Sequence, residues 1–179
     1  MWPSDKTGGG RRHNVRLPLT NETIAELYAT YGSRLYRYAV LILADRSAAE
    51  DAVQEAFAHL AAALRKTPRA DVPFGYLAAI VRNECYTALR RRQRRPQDPE
   101  PIVEPRSPDA SVEERMILDA ALRALPAEQR EVVYLKVFEG MTFQEIARRC
   151  GIGPNTAASR YRYAMQALRR AFAPQRNRT

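Results

Sequence analysis

The sequence predicts an all-α protein made of two small helical domains joined by a proline-rich linker, with a helix-turn-helix in the C-terminal domain. Apolar residues recur at steps of three and four, as is typical of amphipathic helices, and no stretch alternates with a period of two. Glycine is scarce outside the N-terminal tail and two turns. Residues 96–110 contain five prolines and four acidic residues, offer almost nothing to bury and indicate an extended linker.

These features divide the chain into four segments. Residues 1–20 are rich in glycine and arginine and predict a flexible basic tail. The first domain is expected at residues 21–95 and the second at residues 111–173, on either side of the linker.

The charge and the distribution of apolar residues indicate which partners the protein can have and whether it crosses a membrane. The net charge of +9 suits a nucleic-acid partner, because Lys and Arg displace counterions from phosphates. A basic surface without such a partner stays an alternative. No apolar run approaches the ~20 residues of a membrane span, and the N-terminus lacks the apolar segment of a secretion signal. We therefore expect a cytoplasmic protein without a membrane span.

An apolar stripe predicts the first helix of the N-terminal domain, and an N-terminal capping box predicts the start of the second. One apolar stripe from Ile24 to Ile42 predicts a long helix that ends near Asp45. Ser47 and Glu50 have the spacing of a capping box, in which each side chain satisfies a free backbone N–H, and so predict where the next helix starts. The buried stripe of this second helix is expected to be Val53, Phe57, Leu60 and Leu64. Its opposite, mostly acidic face carries Asp51, Gln54 and Glu55.

The third helix is expected to begin near Pro73, because a proline in the first turn needs no N–H partner, and to run to about Arg94. Its core face carries Leu77, Val81, Cys85 and Ala88. Its outer face carries Asn83, Tyr86, Thr87, Arg90 and Arg94. This outer face suits single-stranded DNA, because an aromatic ring stacks on an unpaired base while Arg contacts phosphate.

The C-terminal domain opens with a second capping box, Ser111 and Glu114, and its first helix is expected to reach about Ala124. Pro126 then begins a further helix, which Gly140 closes as a C-terminal cap. These two helices precede the segment with the strongest functional signal.

That segment, residues 142–172, predicts a helix-turn-helix. Thr142 and Glu145 form a third capping box, and Gly151 stands where the first helix must turn with a positive φ. Pro154 begins the second helix. The inner stripe of this second helix is expected to be Ala157, Tyr161, Ala164, Met165 and Leu168.

The outer face of the second helix in this motif is polar. Such a helix lies in the major groove with its N-terminal residues against base edges, where Arg pairs with guanine and Asn with adenine through bidentate hydrogen bonds. The residues expected on this outer face or at its flank are Asn155, Ser159, Arg160, Arg162, Tyr163 and Gln166. A helical hairpin with a solvated basic face is the alternative, which the glycine at the turn disfavours.

The sequence gives no sign of a metal site or a cofactor. The two cysteines, Cys85 and Cys150, and the two histidines, His13 and His59, are too scattered for structural zinc, so we expect small buried thiols. No cluster of acidic residues resembles a two-metal site, which argues against a nuclease or another enzyme.

Three strings in order resemble the extracytoplasmic-function (ECF) sigma factors of RNA polymerase, over residues 22–172. The family's clamp-binding motif is similar to RSAAEDAVQEAFAHL, and its promoter-melting helix is similar to PFGYLAAIVRNECYTALRRRQRR. Its C-terminal domain resembles the string from Ala121 to Phe172. The resemblance implies a sigma factor that binds core RNA polymerase, recognises −35 and −10 promoter elements and promotes DNA melting, while the polymerase does the chemistry.

The resemblance also implies roles for particular residues. The positions that face the β′ clamp are Asp51, Gln54 and Glu55. The positions at the −10 element are Thr67, Arg69, Asn83, Tyr86, Thr87 and Arg90, the first two in a loop that holds a flipped base. The positions at the −35 element are Asn155, Thr156, Ser159, Arg160 and Arg162. The implied partners are the β′ clamp and the β flap of core RNA polymerase, promoter DNA and an anti-sigma factor.

Four positions depart from the family pattern. Tyr76 stands where the family usually has Trp, and Thr87 where it often has Asp. Ala158 and Tyr163 replace a Lys and an Arg of the recognition helix, so the preferred −10 and −35 sequences stay open. The alternative function is a dimeric helix-turn-helix regulator that binds duplex DNA without replacing sigma. That alternative gives no reason for the acidic face of the second helix.

Overall fold

The structure, a computed structural model, describes residues 21–66, 72–92 and 111–173. Within these ranges it consists of helices and short connections without a strand, which confirms the all-α class. The predicted tail, residues 1–20, and linker, residues 96–110, lie outside the described residues. The domain boundaries drawn from the sequence therefore stay a prediction.

Two helical bundles follow one another along the chain. The first consists of α1 (Asn21–Leu43), α2 (Arg46–Lys66) and α3 (Phe74–Arg92). The second consists of α4 (Val112–Ala124), α5 (Ala127–Val137), α6 (Phe143–Cys150) and α7 (Pro154–Phe172). Within the part of the chain that the structure describes, no helix is long and apolar enough to cross a membrane.

The core of the first bundle lies where the predicted apolar stripes meet. The stripe of α2 is buried along its whole length, as predicted, and it packs between α1 and α3. Leu35, Leu60 and Leu77 are fully buried there. Burial of each such side chain contributes about 1.5–3 kcal/mol to folding. The acidic face of α2 is therefore held rigidly outward.

The start of α2 differs from the predicted capping box. The carboxylate of Asp45 accepts a hydrogen bond from the Ala48 N–H at 3.0 Å, so Asp45 caps the helix, and Ser47 already lies in its first turn. Asp45 prevails because α1 ends at Leu43, and the φ of +56° at Ala44, the next residue, breaks the helical path. The prediction that Ser47 and Glu50 cap α2 was wrong.

The other two predicted capping boxes are confirmed. The Glu114 N–H donates to Ser111 Oγ at 3.1 Å, and the Ser111 N–H donates to Glu114 Oε2 at 2.8 Å. Thr142 and Glu145 make the same reciprocal pair at the start of α6. These caps satisfy backbone donors that a helix start otherwise leaves free, so they fix where α4 and α6 begin.

The helix-turn-helix is built as the sequence predicts. Gly151 ends α6 with a φ of +68°, and the Ile152 N–H donates to Ala147 O at 3.0 Å. Glycine suits this turn because a Cβ disfavours positive φ. Ala157 and Ala164 of α7 are fully buried, and such small side chains let the helices of the motif cross closely.

The two bundles pack against each other through α1 and α5. As a result, every residue from Tyr38 to Asp45 is buried, although the sequence predicts only one apolar stripe in this part of α1. The rings of Tyr38 and Tyr134 lie 5.1 Å apart across the junction. The C-terminal half of α1 therefore belongs to both cores.

Candidate nucleic-acid interface

The acidic face of α2 is exposed and borders a groove. Asp51, Gln54 and Glu55 are all exposed, on the side of the helix opposite its buried stripe. A groove of about 300 Å³ runs between this face and α3, and Asp51 and Glu55 line it together with Glu84 and Arg91. This arrangement presents carboxylates on a rigid helix and suits a protein partner with basic side chains.

The outer face of α3 carries the predicted polar residues at different exposures. Asn83 and Arg90 are exposed, and Thr87 is half-buried. The Arg90 guanidinium donates to Thr87 Oγ1 at 2.9 Å. Thr67 and Arg69, predicted to belong to the same site, lie outside the described residues. The structure thus brings three of the predicted −10 positions onto one side of α3.

Tyr86 is placed differently from the expected exposed ring. It is half-buried, and its hydroxyl donates to Glu131 Oε2 at 2.7 Å. The physical reason is that Glu131, on α5 of the second bundle, reaches this face of α3. The expectation that the outer face of α3 is open to solvent is wrong at this position.

Glu131 is fully buried, and its carboxylate accepts hydrogen bonds from three side chains of the first bundle. Tyr38 Oη donates to Oε1 at 2.6 Å. The Arg82 guanidinium donates from Nε to Oε1 at 2.6 Å and from Nη2 to Oε2 at 3.3 Å. With the Tyr86 hydroxyl, these donors satisfy both carboxylate oxygens, as a buried charge requires. We refer to Glu131, Tyr38, Arg82 and Tyr86 as the Glu131 cluster.

The environment of this cluster keeps its donors protonated. Burial, followed by the charge of Glu131, raises the pKa of Tyr38 and of Tyr86 well above that of an ordinary tyrosine. Burial opposes the charge on Arg82, but the hydrogen bond and charge of Glu131 outweigh it and raise the Arg82 pKa. The Arg82 guanidinium also lies 4.6 Å from the centre of the Tyr86 ring, within range of a cation–π contact.

Arg130, the neighbour of Glu131, joins the ends of two helices. Its guanidinium is buried and donates to Leu41 O at 2.7 Å and to Ile42 O at 2.6 Å in α1. It also donates to the carbonyls of Leu122 and Leu125 at the end of α4. Burial lowers the pKa of Arg130 to about 10, so it is charged at neutral pH. The partial negative charge at helix C-termini compensates this buried cation.

A second ion pair joins the bundles at the far end of α5. The Arg34 Nε donates to Glu139 Oε1 at 2.9 Å, and Tyr134 Oη donates to Arg34 O at 3.2 Å. The Arg34 guanidinium also lies 3.7 Å from the centre of the Phe74 ring. Burial acts against the charge of Glu139, but the hydrogen bond from Arg34 prevails and lowers the Glu139 pKa.

The outer face of α7 faces solvent at its N-terminus. Asn155 and Thr156 in the first turn are exposed, as is Arg162. The residue before the helix, Gly153, has no side chain to cap the first-turn N–H groups, so these can bind a phosphate oxygen. Two further predicted positions, Ser159 and Arg160, are half-buried.

One departure from the family pattern is also on this face. Tyr163 is 53% exposed, and the Arg162 guanidinium lies 5.2 Å from the centre of its ring. This pair presents a flat, basic and aromatic surface in place of two cations.

Neither Glu131 nor Arg130 is among the residues that the sequence alone identifies as candidates for a site or for a contact between the bundles. One signal for Glu131 was present: at helical spacing it falls on the same stripe as Tyr134, Leu135 and Phe138. An acid within an apolar stripe indicates a buried partner, because an unpaired buried charge is very costly. The sequence does not indicate that this partner belongs to the other bundle.

Both bundles match known families. Residues 27–95 match the Sigma-70 region 2 family, and residues 115–168 match the Sigma-70, region 4 family. The ECF RNA polymerase sigma factor SigL of Mycobacterium tuberculosis is 31% identical over 157 residues, which cover 80% of this chain and 85% of SigL. SigM of the same organism, also an ECF RNA polymerase sigma factor, is 31% identical over 172 residues, covering 90% and 87%.

A solved structure has a similar fold. The sigma factor RpoE of Bartonella quintana, in complex with the anti-sigma factor NepR, matches with a TM-score of 0.66 at 24% identity. The match covers 86% of this chain and 98% of RpoE. The similarities extend over both bundles and do not favour a regulator that shares only a helix-turn-helix.

Proposed function

This chain belongs to the ECF RNA polymerase sigma factors, which act in transcription initiation, and on that premise we propose a role for each of its exposed faces. The face of α2 binds core RNA polymerase, the outer face of α3 binds the −10 element, and the N-terminus of α7 reads the −35 element. In this proposal no residue of the chain is catalytic, because the polymerase carries out nucleotide chemistry.

The acidic face of α2 supports polymerase binding most directly. Asp51, Gln54 and Glu55 project from one side of a helix whose other side is locked in the core. We propose that they contact the β′ clamp of the polymerase. An exposed acidic patch contributes charge complementarity, which determines association rate and partner choice more than affinity.

The outer face of α3 has the chemistry for a melted −10 strand. In this proposal the Tyr86 ring stacks on an unpaired base, while Asn83, Thr87 and Arg90 contact base edges and the backbone. The loop with Thr67 and Arg69 is proposed to hold a flipped base. Extrusion of a base costs a few kcal/mol of stacking and pairing, which contacts with the extruded base must offset.

The N-terminal half of α7 has the chemistry for duplex readout at the −35 element. Asn155 and Arg160 are proposed to contact base edges, with Ser159 and Arg162 beside them and Thr156 on a phosphate. Each bidentate base contact contributes about 1–3 kcal/mol of discrimination. The second bundle is proposed to dock on the β flap of the polymerase, which would present α7 to upstream DNA.

Two further expectations follow from family membership. We propose that an anti-sigma factor binds this chain and holds it inactive, as the complex of RpoE with NepR illustrates for a protein of the same fold. We also propose that the protein acts in the cytoplasm, where RNA polymerase works.

Co-purification with core RNA polymerase tests the role of α2. Wild type is expected to co-elute with core enzyme at moderate salt, and Asp51→Lys combined with Glu55→Lys is expected to abolish co-elution by charge reversal. The control is Glu26→Lys, which reverses an exposed acid on a different helix, α1. If wild type fails to co-elute, the proposed function is wrong. If only Glu26→Lys loses binding, the proposed polymerase surface is wrong.

A further inference from the structure

We propose that Tyr163 of α7 is a specificity-determining residue, whose ring packs against the C5-methyl group of a thymine in the −35 element. The inference rests on the proposed role of α7 in duplex readout, and it adds the base that this position selects. Thymine alone among the four bases presents a methyl group in the major groove, and an apolar side chain surface is what recognises that group.

Tyr163 exposes its ring on the stripe of α7 that is proposed to read bases. The residue is 53% exposed. Asn155, Ser159 and Tyr163 follow one another at steps of four, so they lie along one stripe of the helix. Eight residues of α-helix rise about 12 Å, which corresponds to about three to four base steps of duplex DNA. A helix that lies in the major groove therefore brings both ends of this stripe against base pairs of the same element.

Arg162 relates the ring to a second base. Its guanidinium lies 5.2 Å from the centre of the Tyr163 ring, within range of a cation–π contact. Successive base pairs are about 3.4 Å apart, so two groups at this distance meet base pairs that are adjacent or separated by one. The pair therefore predicts a thymine within two base pairs of the base that Arg162 contacts.

The surface around the ring favours DNA over a protein as its partner. The exposed side of α7 carries Arg162 and Gln166 beside the ring, and Arg169 and Arg170 one to two turns further on. The centre of a protein–protein interface is apolar and depleted of charge, whereas surfaces that bind DNA are polar and strongly basic. A single aromatic ring within a basic surface has the composition of the second kind.

A tyrosine at this position exchanges a charged contact for an apolar one. Tyr163 stands where the family pattern has an arginine, whose contacts with phosphate weaken as salt rises. The phenol carries no charge, and the burial of a methyl group against its ring does not depend on counterion release. Discrimination at this base is therefore expected to persist at salt concentrations that weaken the phosphate contacts of the same helix.

Replacement of single thymines by uracil tests the methyl contact, because uracil lacks only the C5-methyl group. The holoenzyme first selects a promoter from a random DNA pool, and each thymine of its −35 element is then replaced by deoxyuridine in turn. At one position uracil is expected to weaken binding of the wild-type holoenzyme about fourfold, the value of one buried methyl group. Tyr163→Ala is expected to bind the thymine promoter at least about fourfold more weakly and to lose the uracil effect at that position.

Three further variants separate the ring from the hydroxyl, from charge and from general effects. Tyr163→Phe keeps the ring and is expected to keep the uracil effect. Tyr163→Arg is expected to lose this effect and to raise the salt dependence of binding by about one charge. Tyr28→Ala removes a tyrosine that is 50% exposed on α1, and it is the matched control that should keep the full uracil effect.

The outcomes that would overturn the inference differ from those that would overturn the proposed function. Equal uracil effects in wild type and Tyr163→Ala at every position, or a selected −35 element without thymine, would refute the methyl contact alone. Equal losses of affinity in Tyr163→Ala and Tyr163→Phe, with the uracil effect unchanged, would indicate a contact of the hydroxyl and also refute it. Weakened co-elution of Tyr163→Ala with core polymerase would assign the ring to a protein partner. Failure of the wild-type holoenzyme to select any promoter would overturn the proposed function, and the inference with it.

Discussion

The two helices proposed to read DNA, α3 and α7, are presented in opposite ways. The N-terminal turn of α7 is exposed, with Asn155 and Thr156 in solvent. The outer face of α3 is partly covered, because Glu131 of the other bundle holds Arg82 and Tyr86. If α7 and α3 have the proposed roles, the surface for duplex DNA is exposed in the free chain, whereas the surface for single-stranded DNA is partly covered.

The difference has a chemical origin. The inner side of α7 packs against the other helices of its own bundle, so its outer side needs no protein partner. The face of α3 instead carries a guanidinium and phenols that are partly removed from water, and such groups require hydrogen-bond partners. The polar groups that are proposed to bind an unpaired DNA strand can therefore also form hydrogen bonds with an acidic side chain from another part of the chain.

The largest expected effect is a loss of stability when Arg130, which links α5 to the ends of α1 and α4, is replaced. Arg130→Ala should lower the free energy of unfolding by about 3 kcal/mol, because it leaves buried carbonyls at the ends of α1 and α4 without a donor. Urea denaturation measures this change. Arg162→Ala, on the exposed face of α7, should change stability by no more than about 0.5 kcal/mol. Similar values for the two variants would contradict the assignment of Arg130 as the junction between helix ends.

The next effect concerns the specificity of α7. Arg160→Ala should weaken recognition at one base position of the −35 element by about 1–3 kcal/mol, because a single base contact is lost. Arg169→Ala, near the C-terminus of the helix, should leave the preferred sequence unchanged. Selection of bound promoters from a random DNA pool with each holoenzyme provides the measurement. If Arg160→Ala leaves promoter choice intact, the face assigned to DNA is wrong.

A smaller effect concerns the turn that places α7. Gly151→Ala should cost about 1–2 kcal/mol, because its φ of +68° is strained for any residue with a Cβ. The cost is one of backbone alone, since nothing lies within 4 Å of the added methyl group. Gly153→Ala is the matched control: its φ of −75° suits alanine, so stability should change little. Thermal unfolding of both variants distinguishes backbone strain from packing, and equal losses would refute strain.

The smallest expected effect comes from substitutions of Tyr86, which distinguish the hydrogen bond of its hydroxyl to Glu131 from the proposed stacking of its ring on a base. Tyr86→Phe removes the donor to Glu131 and should lower the free energy of unfolding by about 0.5–1.5 kcal/mol, while the ring stays available for stacking. Tyr86→Ala removes both and should in addition weaken binding to single-stranded −10 DNA by about 1–3 kcal/mol. Equal DNA binding by the two variants would show that the ring does not stack on a base.

Features governed by neighbours in sequence could be predicted well. The capping boxes at Ser111 and Thr142 and the positive φ at Gly151 depend on residues a few positions apart, and each is confirmed. The buried stripe of α2 is confirmed for the same reason. The predicted cap at Ser47 was wrong because α1 ends at Leu43 and the positive φ of Ala44 leaves Asp45, two residues before Ser47, in the capping position.

Features governed by the contact between bundles could not be predicted in this way. Tyr86 and Glu131 are 45 residues apart, and helical periodicity does not relate positions on different helices. The same holds for Arg34 and Glu139, 105 residues apart. The sequence therefore predicts which residues share a face of α3, but not that α5 supplies an acid to that face.

A footprint of the holoenzyme on a selected promoter tests the central claim most directly. A sigma factor whose bundles separate should protect two unlike elements about 25 base pairs, or about 85 Å, apart, with bases near the −10 element reactive to single-strand probes. The account predicts this split pattern. A single palindromic footprint, with half-sites about one helical turn apart, would contradict it and indicate a dimeric regulator.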